Sequence, residues 1–180
     1  RKIIFRVKKQ MHTLGVGETF RAKPENCYQD TSEENIRSVI EEIKNGTHWK
    51  QAVKEKYKEA NPWLYEIVCS PQRTKFIDEY IKPKNFQILD IGAGWGQFTI
   101  PLAKQNQICS LEPTPERLDF IKAASKQEGV DQNISYIGAD YFDVKFENKF
   151  DLILSIGVME WVGAFKTDKP PEEVQKEYLS

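Results

Sequence analysis

Residues Ile88 to Lys104 read ILDIGAGWGQFTIPLAK, an apolar run that ends on Asp90 and is followed by glycines at alternate positions, Gly92, Gly94 and Gly96. Glycine permits torsions and close backbone approaches that a β-carbon forbids, and a helix start beyond such a turn offers N–H groups to an anionic or polar ligand. The spacing therefore points to a ligand lying against Asp90 to Gly96, Ala93 included. Two more carboxylates follow, Glu112 with Pro113 in CSLEPTPERL and Asp140 with Tyr141 in ISYIGADYF. A carboxylate presents two acceptor oxygens to a pair of adjacent hydroxyls, a match that suits a sugar diol. Either acid could instead be solvated, and Tyr141 and Phe142 could stack on a base or pack beneath a sheet. Farther on, FDLILSIGVMEWVGAF holds Ser155 and Glu160. A carboxylate at Glu160 could take a proton from an attacking hydroxyl, hold a metal, or pair locally at a helix start.

These residues need a scaffold that gathers strand ends. From Pro83 onward the chain alternates candidate strands, Phe86 to Ile91, Gln107 to Leu111, Ile134 to Gly138 and Phe150 to Ile156, with helices over Gln97 to Lys104 and Pro115 to Glu128. Alternation of this kind predicts a parallel sheet with right-handed crossovers. Thr114 caps the second of these helices, Pro115 opens it and Gly129 stops it, whereas Pro101 sits awkwardly inside the first. Before Pro83 the pattern is helical. Thr31 with Glu34 forms a capping box ahead of Ile36, Val39, Ile40 and Ile43, a second helix carries Trp49, Ala52, Val53 and Tyr57, and two shorter ones each begin with proline. Residues 1–30 give mixed signals of strand and loop.

The glycine spacing can be tested against the dinucleotide fingerprint, which places a third glycine three residues after the second. That position is Gln97, so the fingerprint fails. The pattern that stands, Asp90-x-Gly92-x-Gly94-x-Gly96, resembles the first motif of the class I S-adenosylmethionine-dependent methyltransferases, and the resemblance extends over roughly Ile88 to Val162. It implies an α/β fold: a Rossmann-like core with a parallel sheet over residues 83–180, preceded by a mostly helical extension or lid at residues 1–82. It also implies S-adenosyl-L-methionine as cofactor, with Glu112 on both ribose hydroxyls, Asp140 on the adenine amino group, and the segment from Ser155 to Trp161 across the crevice near the methionine moiety. Asp151, at the start of the fourth strand, reads as structural. Family members have seven strands, so the sheet is expected to be cut short after the fourth.

The resemblance leaves the acceptor open. An Asn/Asp-Pro-Pro-aromatic signature of exocyclic-amino methylation is replaced by Ser155-Ile156-Gly157-Val158, and no cysteine follows a proline as cytosine carbon methylation would need. LEPTPERL with GVMEWVGAF is similar to bacterial methyltransferases found beside glycan and cell-envelope functions, which implies a hydroxyl on a saccharide or other small molecule. A module that binds the nucleoside without turnover and an NAD-dependent oxidoreductase are the competing readings. Trp63, Tyr65 and Arg73 could line an acceptor pocket, belong to a structural cap, or face a second copy in a homo-oligomer.

Composition narrows the class further. A chain of 180 residues with 39% hydrophobic content can build one sizeable core with an extension. No apolar run approaches the roughly 18 residues of a membrane span, and the basic start lacks the features of a secretory signal, so the cytoplasm is the expected location. Cys27, Cys69 and Cys109 are odd in number and widely spaced, which argues against disulfides and against zinc, and no metal site is expected. A formal net charge of -1 provides no general attraction to polyanions, so a nucleic-acid partner is not implied.

Overall fold

The computed structural model describes residues 32–147, 149–158, 162 and 169–179. Four helices come first: α1 (Glu33–Lys44), α2 (Trp49–Tyr57), α3 (Pro62–Cys69) and α4 (Gln72–Tyr80). The expected capping box is not what starts α1. Ser32 is the N-cap, and its hydroxyl accepts from the Asn35 N–H at 3.3 Å, so the helix begins one residue later than Thr31 would have set it. The buried stripe is the expected one, Ile36, Val39, Ile40 and Ile43. In α3, Pro62 occupies the first turn behind Asn61, whose side chain accepts from the Leu64 N–H at 3.0 Å; in α4, Pro71 is itself the cap residue, and the helix runs from Gln72. The readings made for residues 1–30, Cys27 among them, lie outside the described residues.

The second half alternates as expected: β1 (Gln87–Ile91), α5 (Thr99–Leu102), β2 (Gln107–Leu111), α6 (Pro115–Gln127), β3 (Ile134–Ile137) and β4 (Leu152–Ser155), then α7 (Pro171–Leu179). All four strands are parallel in the order β3-β2-β1-β4, so chain direction across the sheet reverses at β1. Helix α5 is half the length its periodicity suggested. Its brevity accounts for Pro101, which falls in the first turn, where a missing N–H leaves no intrahelical bond unmade.

Strand parity assigns the two faces of the sheet. Ile88, Ile108, Ile134 and Leu154 point into a large apolar cluster shared with α1 to α6, while Leu89, Ile91 and Leu111 point into a smaller one under Val174 and Tyr178 of α7. The large cluster takes residues from both sides of the 82/83 division. The N-terminal helices are fastened to α6 by polar links as well. Arg37 reaches Glu116 at 2.7 Å, the Trp49 backbone N–H reaches Gln127 Oε1 at 2.7 Å, and its indole N–H reaches Glu128 Oε1 at 2.9 Å. Between these links sits Phe120, fully buried, with the rings of Trp49 and Trp95 edge-on to it. Of the residues proposed to line a pocket, Trp63 and Arg73 are exposed and Tyr65 is half-buried against the large cluster.

Phe120→Ala is expected to cost about 3–5 kcal/mol, because it empties the volume that joins the helical layer to the sheet. Urea denaturation monitored by circular dichroism measures this directly; a loss below about 1 kcal/mol would show that the joint lies elsewhere.

Candidate functional site

The strand registers bring the sequence-predicted residues to one end of the sheet. Ser155 pairs with Ile91, Ile91 with Leu111, and Leu111 with Ile137, so the chain leaves all four strands along a single line. Gly92 and Glu112 are the next residues on the two central strands. The glycine turn is stitched to the end of β2 by three successive donors: the Gly92 and Ala93 N–H groups reach the Leu111 carbonyl at 2.8 and 3.0 Å, and the Gly94 N–H reaches Glu112 Oε2 at 2.8 Å. Trp95 donates to Gln97 Oε1 at 3.2 Å and Gly96 to the Ala93 carbonyl at 2.9 Å.

The expectation of open N–H groups at this turn is therefore corrected. Each donor from Gly92 to Gly96 has an acceptor within the protein, and the start of α5 is met from inside by Asp90. The glycines serve close approach, and each does so differently. All three have positive φ. A β-carbon on Gly92 would stand 2.6 Å from a Val158 methyl, and one on Gly96 would press Ile100 and Ile121 at 3.1 Å. On Gly94 it would meet only the Gln97 carboxamide, from 3.4 Å, and the Gly92 carbonyl at 3.8 Å, so this is the point where a ligand can lie against bare backbone.

Glu112 is 3% exposed. Its Oε1 accepts from the Thr114 N–H at 3.0 Å, and Arg117 Nη1 lies 4.0 Å from the same oxygen. Thr114 thus occupies the cap position of α6 without capping by its own side chain; the Glu112 carboxylate does that work. Pro113, beside it, is exposed.

Asp90 has a different place from the one expected of a ligand contact. It shares the face of Ile88, 2% exposed, and its Oδ2 accepts from the Thr99 hydroxyl at 2.6 Å. Burial pushes its carboxyl up to about 7; the Thr99 hydrogen bond opposes that shift and the nearby Glu112 charge adds to it. Asp90 binds α5 to β1 beneath the turn and supports the site from below. Thr99 is a residue the sequence reading missed, though a hydroxyl in the first turn after a buried acid is a usable signal.

Past β3, the Asp140 side chain accepts from the Phe142 N–H at 3.0 Å and caps the short 3₁₀ turn Tyr141–Asp143, with its residue exposed. Tyr141 packs edge-on to Tyr178 with ring centres 4.8 Å apart, so one of the two fates foreseen for it, packing, is realised. At the end of β4 the Ser155 hydroxyl meets the Tyr178 hydroxyl at 2.6 Å. Tyr178 thereby connects the β3 and β4 sides of the site from α7, a role hidden in a polar tail. Asp151 is structural, exchanging backbone and side-chain bonds with Gln87 at 2.8 Å. Glu160, with Trp161, lies outside the described residues. Among the described residues no cluster of His, Cys, Asp and Glu could hold a metal ion, and no helix is long and apolar enough to cross a membrane.

A parallel sheet reversing at β1, with a glycine turn tied to β2 and a buried carboxylate one residue beyond that strand, defines a Rossmann-like α/β fold. Residues 88–175, just under half of the chain, match the family model described as a methyltransferase domain. Among solved structures, a Methanococcus maripaludis protein assigned to the S-adenosyl-L-methionine-dependent methyltransferases is 18% identical, with 81% of this chain and 57% of that one covered and a TM-score of 0.50. An rRNA methylase from Escherichia coli is 12% identical, with coverage of 76% and 53% and a TM-score of 0.53. At such identities the likeness is one of fold. The chain spans about half the length of these structures. No curated protein matches it significantly.

The raised Asp90 carboxyl gives stability a signed pH dependence. Between about pH 4 and 7 the unfolded chain has released this proton and the native state keeps it, so the Asp90 contribution falls as pH rises through that window. Asp90→Asn removes the effect. The stability of the variant relative to the native sequence should increase from pH 4 to pH 8, by at most on the order of 4 kcal/mol. Urea denaturation across that range tests it, and a pH-independent difference would contradict the assignment.

Proposed function

We propose that this chain binds S-adenosyl-L-methionine across the carboxyl ends of β1 and β2 and, as part of a methyltransferase, delivers the methyl group to a hydroxyl of a saccharide or other small molecule. The observation that carries the reading is the Gly94–Glu112 bond, which joins the most open glycine of the turn to the buried carboxylate at the end of β2. The Glu112 oxygens accept from the Gly94 and Thr114 N–H groups, with Arg117 Nη1 4.0 Å from Oε1, and a carboxylate oxygen that accepts one N–H keeps a lone pair for a ribose hydroxyl. The donor set fits a nucleoside better than a pyrophosphate, because the N–H groups from Gly92 to Gly96 that a diphosphate would use are already bonded.

Within the site, Glu112 would hold the sugar, Gly94 would let the nucleoside lie against the backbone, and Asp140 with Tyr141 would flank the base. Ser155 would stand across the crevice. The cofactor supplies a methyl group already activated on a sulfonium. The protein's task is then to hold an acceptor oxygen in line with it and to exclude water, which favours a site built from backbone and apolar walls. Ser155 to Val158 in place of an Asn/Asp-Pro-Pro-aromatic sequence supports an oxygen acceptor over an exocyclic amine.

Calorimetric titration with S-adenosylhomocysteine and, separately, with NAD tests the cofactor; binding of NAD alone would overturn the reading. Glu112→Ala should weaken S-adenosylhomocysteine binding by about 1–3 kcal/mol, the scale of losing buried charged hydrogen bonds, and an unchanged affinity would remove Glu112 from the site. Transfer of labelled methyl to a panel of saccharides, small hydroxyl compounds and RNA tests the acceptor, with label on RNA counting against the saccharide assignment.

A further inference from the structure

Trp95 stands between two glycines in a turn only a few residues long, yet it is 4% exposed. A large side chain in such a place must be buried in something. Its ring lies edge-on to Phe120 of α6, with centres 4.8 Å apart at 71°, and edge-on to Tyr57 at the end of α2, 5.6 Å apart at 80°. Phe120 in turn meets Trp49 at the start of α2, 6.1 Å away at 81°. The glycine turn is thus connected through its one bulky residue to both ends of α2.

We propose that Trp95 is a positioning residue, clasped by Tyr57 and Phe120, through which the N-terminal helices hold the glycine turn in its binding shape and so set the affinity of the nucleoside site. The inference rests on the cofactor reading above. Gly94 and Gly96, at φ 60° and 72°, have access to many backbone states when unconstrained, and that freedom would be lost on binding. Ordering the backbone of even one residue corresponds to roughly five- to thirtyfold in an equilibrium constant. A turn fixed beforehand avoids that loss. The clasp has a firm anchor, since α1 and α2 are bonded to α6 through Arg37–Glu116 and the Trp49 contacts to Gln127 and Glu128, none of which touches the turn.

The test is calorimetric titration of S-adenosylhomocysteine into the whole chain and into Tyr57→Leu, Trp95→Leu, Trp95→Phe and Ile36→Ala, with the stability of each measured by urea denaturation. Tyr57→Leu and Trp95→Leu should weaken binding by about tenfold or more, Trp95→Phe should restore most of the affinity, and Ile36→Ala, which loosens α1 away from the turn, should stay within about twofold. Should Trp95→Leu fail to fold, Tyr57→Leu and Trp95→Phe carry the test. Affinity of Tyr57→Leu within twofold of the native sequence would overturn the inference, as would an equal loss in Ile36→Ala. Absence of binding by the native sequence itself would instead remove the cofactor reading, and this inference with it.

Discussion

The bond from the Gly94 N–H to the Glu112 carboxylate is the constraint on which the site depends. With the Gly92 and Ala93 donors on the Leu111 carbonyl, it turns the end of one strand into the acceptor for the loop that leaves its neighbour. The same carboxylate receives the Thr114 N–H and so starts α6. One side chain thereby fixes the height of the glycine turn, the entry of a helix and the position of its own remaining lone pairs.

Below it lies a second acid. Asp90 and Glu112 are both nearly sealed from water, and two such charges close together would be costly. The arrangement resolves this by raising Asp90, and the Thr99 hydroxyl satisfies its carboxyl in either state. Glu112 instead has the Gly94 and Thr114 N–H groups as donors, with Arg117 4.0 Å away. Division of labour between the two follows from strand parity: Asp90 points to the face covered by α5 and α6, whereas Glu112 lies past the last residue of its strand, where parity no longer assigns it to a face.

Much of this was readable from residue order. Strand β2 spans the expected five residues, Gln107 to Leu111, with Ile108, Cys109 and Leu111 as its apolar members and Pro113 just beyond it. The parallel pairing followed from the alternation of strands and helices, and the place of Glu112 just past β2 from its position after an expected strand. What was not readable depended on three dimensions. Helix α5 was drawn too long because amphipathic spacing continues through residues 97–104 although Gly96 to Phe98 is used for the tight link. Asp90 was assigned to the ligand because a sequence does not say whether an acid at a strand end looks outward or into the core. Tyr178 gave no signal at all: its contacts to Ser155 and Tyr141 span 23 and 37 positions of a tail that reads as polar. Trp95 carries no sequence signal of its own, since its partners come from α2 and α6.

The last consequence concerns β4. It is the outer strand of the described sheet, and Ile153, 58% exposed, stands on the same face as Ser155, whose hydroxyl meets Tyr178 of α7. A strand border of this kind is a template for further backbone pairing. Strands β1 and β4 flank the reversal point, so any strand that paired with the outer side of β4 would stiffen one side of it. Tyr178 supplies a single rivet from above; a neighbouring strand would supply a ladder.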